Sequence, residues 1–327
     1  MGGASLPATH AGAAEGRPLI LIEEHLTDNT KKSGGYREVN ASGRLMEGWF
    51  CPSEWTGPGE SGFTPVLKIQ PFRGGGYEAT VRMLDLAKIG RAVAFGGRRK
   101  GARGVPDQLS EENRRKAGIR ARRVVRLLVK NMAATNLLTF TRRETLEDVE
   151  AGRSWGAEDW ARGWDKLRRN MERVLGDFPY VAVLEQHKKG NYHLHVAWCG
   201  KFPLTRFRPL WWSICGGRGQ GNVQSQYIKQ RTGCARAAVI ARYISKYVTK
   251  NFETVSRFNK KRYWASKQSL EQVRRYILRS PDVVQAFSEL PWLGVRFADR
   301  HNFFLFPDGT GWWWNFIPED HGADPPF

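Results

Sequence analysis

The sequence predicts an α+β fold, in which an antiparallel β-sheet packs with helices on one face. Three observations predict it. Val181, Val183 and Glu185 alternate with Ala182 and Leu184, and the residues of 192–198 alternate again after a run of turn residues, as in a β-hairpin. Apolar residues recur every three or four positions over 157–175, as on the buried face of a helix. The elements follow in the order strand, helix, hairpin, helix, strand and helix, which is typical of an α+β sandwich.

The composition is strongly basic. The 327 residues include 52 Lys and Arg against 32 Asp and Glu, which gives a net charge of +20 and an isoelectric point near 10.1. This surplus, with 13 Trp and 17 Phe, makes nucleic acid the first candidate partner; a basic protein without such a partner is the alternative. No apolar run reaches the ~20 residues that span a bilayer, and the stretch 18–22 is too short for a signal peptide core. We therefore expect no membrane contact and a location in the cytoplasm, which the resemblance described below would place in a bacterial host cell.

Glycine, proline and charge divide the chain into four predicted segments. Strands are predicted over 65–69 and 77–83, a helix over 268–279, and a closing aromatic hairpin over 303–316. The segments are a flexible tail over 1–35, a small accessory or β-rich region with a basic linker over 36–105, a main domain over 106–267, and a C-terminal helix and aromatic hairpin over 268–327.

The main domain contains several ordinary elements. An apolar strand is predicted over 136–141, a short helix from a cap at Thr205, and a further strand over 222–228. The glycine cluster at 216–221 lacks the Gly-Lys-Ser/Thr of a nucleotide-binding P-loop, and so do the other glycine clusters. We therefore expect no fused helicase motor.

Two stretches combine cations in a way that suits contact with DNA. A helix from Ser110 toward Asn131 has an apolar side, and arginines cover the rest of its surface. The stretch 257–264 mixes cations with aromatic rings, which suits backbone contact and base stacking on a single strand. The alternatives are a solvated charged face for the helix and a surface loop with buried rings for the stretch. The candidate DNA-binding residues are Arg115, Arg122, Arg123, Arg257, Lys260, Lys261 and Arg262.

The predicted hairpin carries a candidate metal site. His193 and His195 lie two positions apart and therefore share one face of their strand. If Glu185 pairs opposite them, a carboxylate and two imidazoles converge, a mixed set that suits Mn²⁺, Mg²⁺ or Zn²⁺. His187 shares the face of Glu185 and is a further possible ligand, although its place at the start of the turn also suits a solvated side chain. Ordinary strand histidines bonded to their neighbours are the alternative.

A helix over 236–251 carries a candidate nucleophile. At ~3.6 residues per turn its apolar residues form one stripe, and a second stripe holds Tyr243, Lys246, Tyr247 and Lys250. A phenol is a poor nucleophile at its usual pKa near 10, and nearby lysines favour the phenolate and steady a phosphate charge. The alternative is a solvated helix with tyrosines at the edge of the core.

Taken together, three ordered motifs resemble the HUH endonucleases, which include the rolling-circle replication initiators of small phages, plasmids and single-stranded DNA viruses. The motifs are Leu137-Leu-Thr-Phe-Thr141, His193-Leu-His195 and Tyr243-Ile-Ser-Lys-Tyr-Val-Thr-Lys250. The doubled Tyr-x-x-Lys is most similar to the two-tyrosine branch, which includes phage gene A proteins and related plasmid initiators. The resemblance covers roughly residues 110 to 270.

The resemblance implies a mechanism for the main domain, 106–267, as the endonuclease catalytic domain. One divalent ion, Mn²⁺ or Mg²⁺, would be held by Glu185, His193 and His195. Tyr243 would attack first and form a 5′-phosphotyrosine with a free 3′-hydroxyl. Tyr247 would then cut the regenerated origin and allow the strand to be rejoined, while Lys246 and Lys250 offset developing charge. The implied partners are single-stranded origin DNA, a host helicase and a host polymerase.

Three alternatives remain open at this point. A relaxase or a transposase would use the same chemistry on a different DNA partner. A non-catalytic nucleic-acid binder would retain affinity and form no covalent product. A zinc-dependent hydrolase with the same three ligands would still cleave after both Tyr243 and Tyr247 are replaced.

Overall fold

The computed structural model describes residues 36–38, 49–52, 62–86, 111–187, 191–200, 203–227, 233–254, 263–268, 270–290 and 303–317. Within these ranges the chain forms two β-sheets and six helices, so the predicted α+β class is confirmed. The predicted tail over 1–35 and the basic linker that ends at 105 lie outside the described residues.

Twelve strands and six helices follow one another along the described residues. The strands are β1 Tyr36–Glu38, β2 Trp49–Pro52, β3 Phe63–Pro71, β4 Tyr77–Asp85, β5 Asn136–Arg142, β6 Tyr180–Gln186, β7 Tyr192–Trp198, β8 Gly221–Tyr227, β9 Tyr263–Ala265, β10 Arg274–Ile277, β11 Phe303–Leu305 and β12 Gly311–Phe316. The helices are α1 Glu111–Asn131, α2 Leu146–Glu150, α3 Ala157–Leu175, α4 Leu204–Cys215, α5 Gly233–Thr254 and α6 Val283–Glu289.

A five-stranded antiparallel sheet has the strand order β8-β5-β7-β6-β9. Its β6 and β7 form the predicted hairpin, which is confirmed, although residues 188–190 of the turn lie outside the described residues. The register sets Glu185 opposite His193 and Val183 opposite His195. One face of the hairpin therefore carries the acidic residue and both histidines.

Helices cover both faces of this sheet, whereas the sequence predicted helices on one face. Helices α3 and α4 pack on one face through buried rings such as Trp164 and Trp211, and α1 and α5 pack on the other. The central strands explain the difference, because residues 181–184 are all buried and both of their faces are apolar. A strand that is apolar on both faces needs a layer on each side.

A seven-stranded sheet has the order β1-β2-β10-β3-β4-β12-β11, and β2 with β10 is its parallel pair. The predicted strands at 65–69 and 77–83 are confirmed within β3 and β4, and the predicted aromatic hairpin is confirmed as β11 and β12. Segments before and after the five-stranded sheet in sequence therefore build one sheet together.

The predicted helix over 268–279 is wrong. Residues Arg274–Ile277 form β10, which lies between β2 and β3. Tyr276 and Ile277 are both buried and point to opposite faces of the sheet, where Tyr276 stacks on Phe50 with ring centroids 4.8 Å apart. Pairing with strands distant in sequence decided the conformation, and local spacing did not.

A buried polar cluster joins the seven-stranded sheet to helix α1. The Lys130 ammonium near the end of α1 donates to Glu78 Oε1 at 2.7 Å and to Asn315 Oδ1 at 2.6 Å. Arg126 donates to the other carboxylate oxygen of Glu78 at 2.7 Å. Because Glu78 and Asn315 belong to the seven-stranded sheet, this cluster ties that sheet to α1 and so to the sheet beneath α1.

Candidate active site

Helix α5 is held against the five-stranded sheet by its apolar stripe. Ile240, Ala241, Ile244 and Val248 are buried among residues of β5, β6, β7 and α1. The helical repeat then sets the tyrosines beside this stripe. Among them Tyr243 is 42% exposed, while Tyr247 is half-buried and packs on the same core cluster.

Two lysines share the helix with the tyrosines. Lys246 is exposed one turn from Tyr243. Lys250 follows in α5, and its side chain lies outside the described part of the chain. The predicted tyrosine helix is therefore confirmed as a helix, and the roles of its lysines stay predictions.

Glu185 and His195 form the buried centre of the site. His195 Nε2 lies 2.9 Å from Glu185 Oε2, and both side chains are at least 93% buried. The second ring nitrogen of His195, Nδ1, lies 3.2 Å from Thr139 Oγ1. Since both ring nitrogens have partners, the orientation of this imidazole is fixed from two sides.

His187 and His193 form a second, more exposed pair. His187 Nε2 lies 3.0 Å from His193 Nδ1 and 3.7 Å from Glu185 Oε2. The two ring centroids are 4.2 Å apart. The structure therefore places His187, the further candidate ligand, next to Glu185 and His193 in the same group.

The residue types in this group are ones that divalent ions bind, because carboxylate oxygens and imidazole nitrogens are common metal ligands. In pairs, their polar atoms lie 2.9, 3.0 and 3.7 Å apart. As they stand, the side chains bond to one another, and no set of three or more His, Cys, Asp or Glu in the described ranges has the spacing of a metal site.

Both tyrosine rings lie against the histidines. The ring of Tyr247 stacks on His195 with centroids 4.5 Å apart and planes 13° apart. Tyr243 stands nearly perpendicular to His195, with centroids 6.1 Å apart, and 5.2 Å from Tyr247. Residues from β6, β7 and α5 thus meet at one place although more than fifty positions separate the first from the last.

Burial controls the protonation of these groups. It lowers the pKa of His195, an effect that the Glu185 carboxylate partly opposes, and it lowers the pKa of His193, where the neighbouring imidazoles act in the same direction. Burial also raises the pKa of Tyr247, and a hydrogen bond with Tyr243 raises it further. Neutral histidines are the form that binds metal, and burial favours this form of His193 and His195.

Acidification should weaken the metal-free protein for the same reason. The folded pKa values of His193 and His195 lie below the unfolded value near 6.5, so the unfolded chain binds more protons as pH falls through that window. We expect the free energy of unfolding in EDTA to fall between about pH 7 and pH 5. Urea titrations of the protein and of His195→Gln would measure this. The variant should show a shallower dependence, and equal slopes would contradict the assignment.

Thr139 is a further residue of the site, and its position in the sequence indicated no role for it. It lies on β5 directly opposite His195, in the strand that formed the first motif. Strand alternation already set Thr139 and Thr141 on one face, but which histidine each would meet depended on the register of two strands 56 positions apart. Sequence spacing alone therefore could not assign the contact.

The predicted DNA-binding residues divide into two sets. Arg115, Arg122 and Arg123 are exposed on α1, which packs along α5. Arg257, Lys260, Lys261 and Arg262 lie outside the described residues.

Comparison with known proteins gives one family. Residues 135–252 match the family described as replication-associated protein ORF2/G2P, and this segment is little more than a third of the chain. No curated protein and no solved structure matches the chain. Within the described ranges, none of the helices has the length and apolar character needed to cross a membrane. The matched segment contains every residue of the candidate site, and over that segment the chain is similar to replication-associated proteins, which supports a role in the initiation of DNA replication.

Proposed function

We propose that this protein is a rolling-circle replication initiator of the two-tyrosine kind, which nicks single-stranded origin DNA through a tyrosine and later rejoins the strand. The observation that carries the proposal is the meeting of two phenols on α5 with the Glu185 and His195 pair, Tyr247 stacked on the imidazole and Tyr243 beside it. The match to replication-associated proteins over the same residues supports it.

Tyr243 is the better first nucleophile of the two. Its side chain is 42% exposed, so a DNA strand can reach its hydroxyl without movement of the helix. Tyr247 is half-buried, and burial together with its hydrogen bond to Tyr243 raises its pKa and disfavours its phenolate. Tyr247 therefore suits the later step, after the hydroxyl of Tyr243 has been consumed in the covalent product.

The proposed step exchanges one phosphoester for another. The Tyr243 oxygen bonds to the scissile phosphorus and loses its proton, the bond from phosphorus to the 3′ oxygen breaks, and that oxygen takes up a proton as a free 3′-hydroxyl. No bond energy is lost to hydrolysis, so the reverse reaction rejoins the strand. The free 3′-hydroxyl is a primer that a host polymerase extends, while a host helicase unwinds the template.

Glu185, His193 and His195 would hold one divalent ion, Mn²⁺ or Mg²⁺, and His187 is placed to assist them. Such an ion, when bound, polarises a phosphoryl oxygen. The residues themselves contribute a fixed geometry, because Thr139 holds Nδ1 of His195 and leaves Nε2 turned toward Glu185. Lys246, exposed on α5, and Lys250 would offset the negative charge that grows on the phosphate.

Removal of the Thr139 hydroxyl should loosen the metal site. Thr139→Val keeps the shape of the side chain and removes the partner of His195 Nδ1, so the imidazole loses its preferred tautomer and orientation. We expect the Mn²⁺ concentration for half-maximal cleavage to rise about tenfold. Thr139→Ser, which keeps the hydroxyl, should behave as the natural protein does. An unchanged metal requirement in the valine variant would show that Thr139 does not orient the ligand.

A covalent-adduct gel tests the proposed function directly. The purified protein is mixed with labelled single-stranded DNA from its own replicon, with Mn²⁺ or with EDTA, and denatured before electrophoresis. A metal-dependent band in which protein and label migrate together is the expected result. Binding without cleavage across a fair set of candidate origins would instead favour a non-catalytic binder. Cleavage of a transfer origin or a transposon end in preference to a replication origin would favour the relaxase or the transposase.

A further inference from the structure

The seven-stranded sheet carries a row of side chains that crosses five neighbouring strands. Strand pairing sets Arg275 beside Lys68, Lys68 beside Thr80, Thr80 beside Trp313, and Trp313 beside Phe304. Directly paired residues point to the same face, so all five belong to one face of the sheet. We call these five residues the cross-sheet row. At about 4.8 Å between strands the row extends about 19 Å.

Helix α1 meets the sheet beside this row. Its Arg126 guanidinium lies 5.5 Å from the centroid of the Trp313 ring and donates to Glu78 on the same face. Arg123, one turn earlier on the helix, is exposed and adds its charge near Lys68. The basic surface of α1 and the cross-sheet row therefore form one continuous region.

This region has more positive than negative charge. Among the strand residues that the structure describes on this face, Glu78 is the only acid, and Lys130 and Arg126 already bind its two oxygens. No described carboxylate forms an ion pair with Lys68, Arg275 or Arg123. A cluster of cations without neighbouring carboxylates attracts anions from solution.

The pKa of Lys68 reflects its burial and the positive charges around it. Burial lowers the pKa of its ammonium to about 8, the positive charges of Arg123 and Arg275 act in the same direction, and Glu78 opposes them. Burial lowers the pKa of Arg275 as well. A phosphate bound beside Lys68 and Arg275 would compensate their positive charges.

Aromatic rings occupy the other end of the row. Phe304 is 52% exposed on β11, and Trp313 beside it is partly exposed. The Arg82 guanidinium lies 3.5 Å from the centroid of the Phe306 ring on the same face. Exposed rings next to cations are the combination that binds bases and phosphates of an unpaired strand.

We propose that the cross-sheet row, with Arg123, is a second binding surface for single-stranded DNA, separate from the tyrosine site. Lys68, Arg275 and Arg123 take the phosphates, and Phe304 stacks with a base. The surface lies wholly outside the segment similar to replication-associated proteins. The proposal rests on the proposed function only in choosing DNA as the strand. A single strand fits better than a duplex because the exposed ring needs an unpaired base.

Equilibrium binding tests this surface without cleavage. All proteins carry Tyr243→Phe and Tyr247→Phe, and a fluorescent single-stranded oligonucleotide is titrated at several salt concentrations. In the Lys68→Gln, Arg275→Gln variant we expect weaker binding to every sequence and a salt slope lower by about 1.4, which corresponds to two lost phosphate contacts. Arg173→Gln, an exposed arginine on α3, is the matched control and should change neither quantity. Lys68→Arg should keep the slope.

Stacking is tested in the same assay. Phe304→Ala should weaken binding to single strands about tenfold and leave duplex binding unchanged. Equal losses for both DNA forms would overturn the assignment to single strands, and an unaltered slope in the Lys68 and Arg275 variant would overturn the surface itself. Failure of the tyrosine chemistry is seen separately in the adduct gel, because the binding assay uses proteins that cannot form the adduct.

Discussion

Replacement of both Tyr243 and Tyr247 by phenylalanine should abolish the covalent protein–DNA product and lower strand cleavage by about a thousand-fold or more. The hydroxyls are the only part of either ring that the change removes, so the stack of residue 247 on His195 and the packing of α5 should persist. Without the nucleophile no covalent intermediate can form, and the remaining groups of the site accelerate strand cleavage only slightly. The measurement is the adduct gel, with unfolding curves to show that the variant is folded.

The single variants separate the two steps. Tyr243→Phe should lose the first nick, because Tyr243 is the exposed hydroxyl, while Tyr247→Phe should keep it and fail to resolve the regenerated origin. Tyr192→Phe is a matched control, since Tyr192 lies on β7 and packs with the core on the opposite face of the sheet. Cleavage that persists in the double variant would exclude Tyr243 and Tyr247 as the nucleophiles and would favour the zinc-dependent hydrolase.

Replacement of Lys130 by methionine should destabilise the protein by about 3–5 kcal/mol. The ammonium is 8% exposed and binds Glu78 and Asn315 where α1 packs on the seven-stranded sheet. Burial lowers its pKa and the Glu78 carboxylate raises it, so the charged form depends on that partner. Methionine fills the same space but removes one of the two cations that bind the buried Glu78 carboxylate. The carboxylate keeps Arg126, and the loss of the other cation is what destabilises the fold.

Two further variants test the cause of this loss of stability. Glu78→Gln combined with Lys130→Met removes both charges and should recover part of the stability, because no buried carboxylate that has lost one of its two cations remains. Lys116→Met removes an exposed lysine that pairs with Glu112 on α1 and should cost less than about 1 kcal/mol. Urea unfolding measures all three. A loss below about 1 kcal/mol for Lys130→Met would mean that the cluster does not hold the sheets together.

Local patterns in the sequence were enough to predict much of the candidate site. A period of two set His193 and His195 on one face, and the hairpin made Glu185 their cross-strand neighbour, as observed. A period of 3.6 placed Tyr243 and Tyr247 beside the apolar stripe of α5. These relations hold within one hairpin or one helix, where geometry follows directly from spacing.

Other features depended on contacts between residues far apart in the chain. Residues 274–277 have a spacing compatible with a helix and form β10 because β2 and β3 offer open edges to pair with. The contact of Thr139 with His195, the second helical layer on the five-stranded sheet and the cross-sheet row all depend on strand order and register. Many registers satisfy the same alternation of residues, and only burial of the complete core selects one of them. The sequence alone thus determined which side chains share an element and a face, and the tertiary structure decided which of those faces meet.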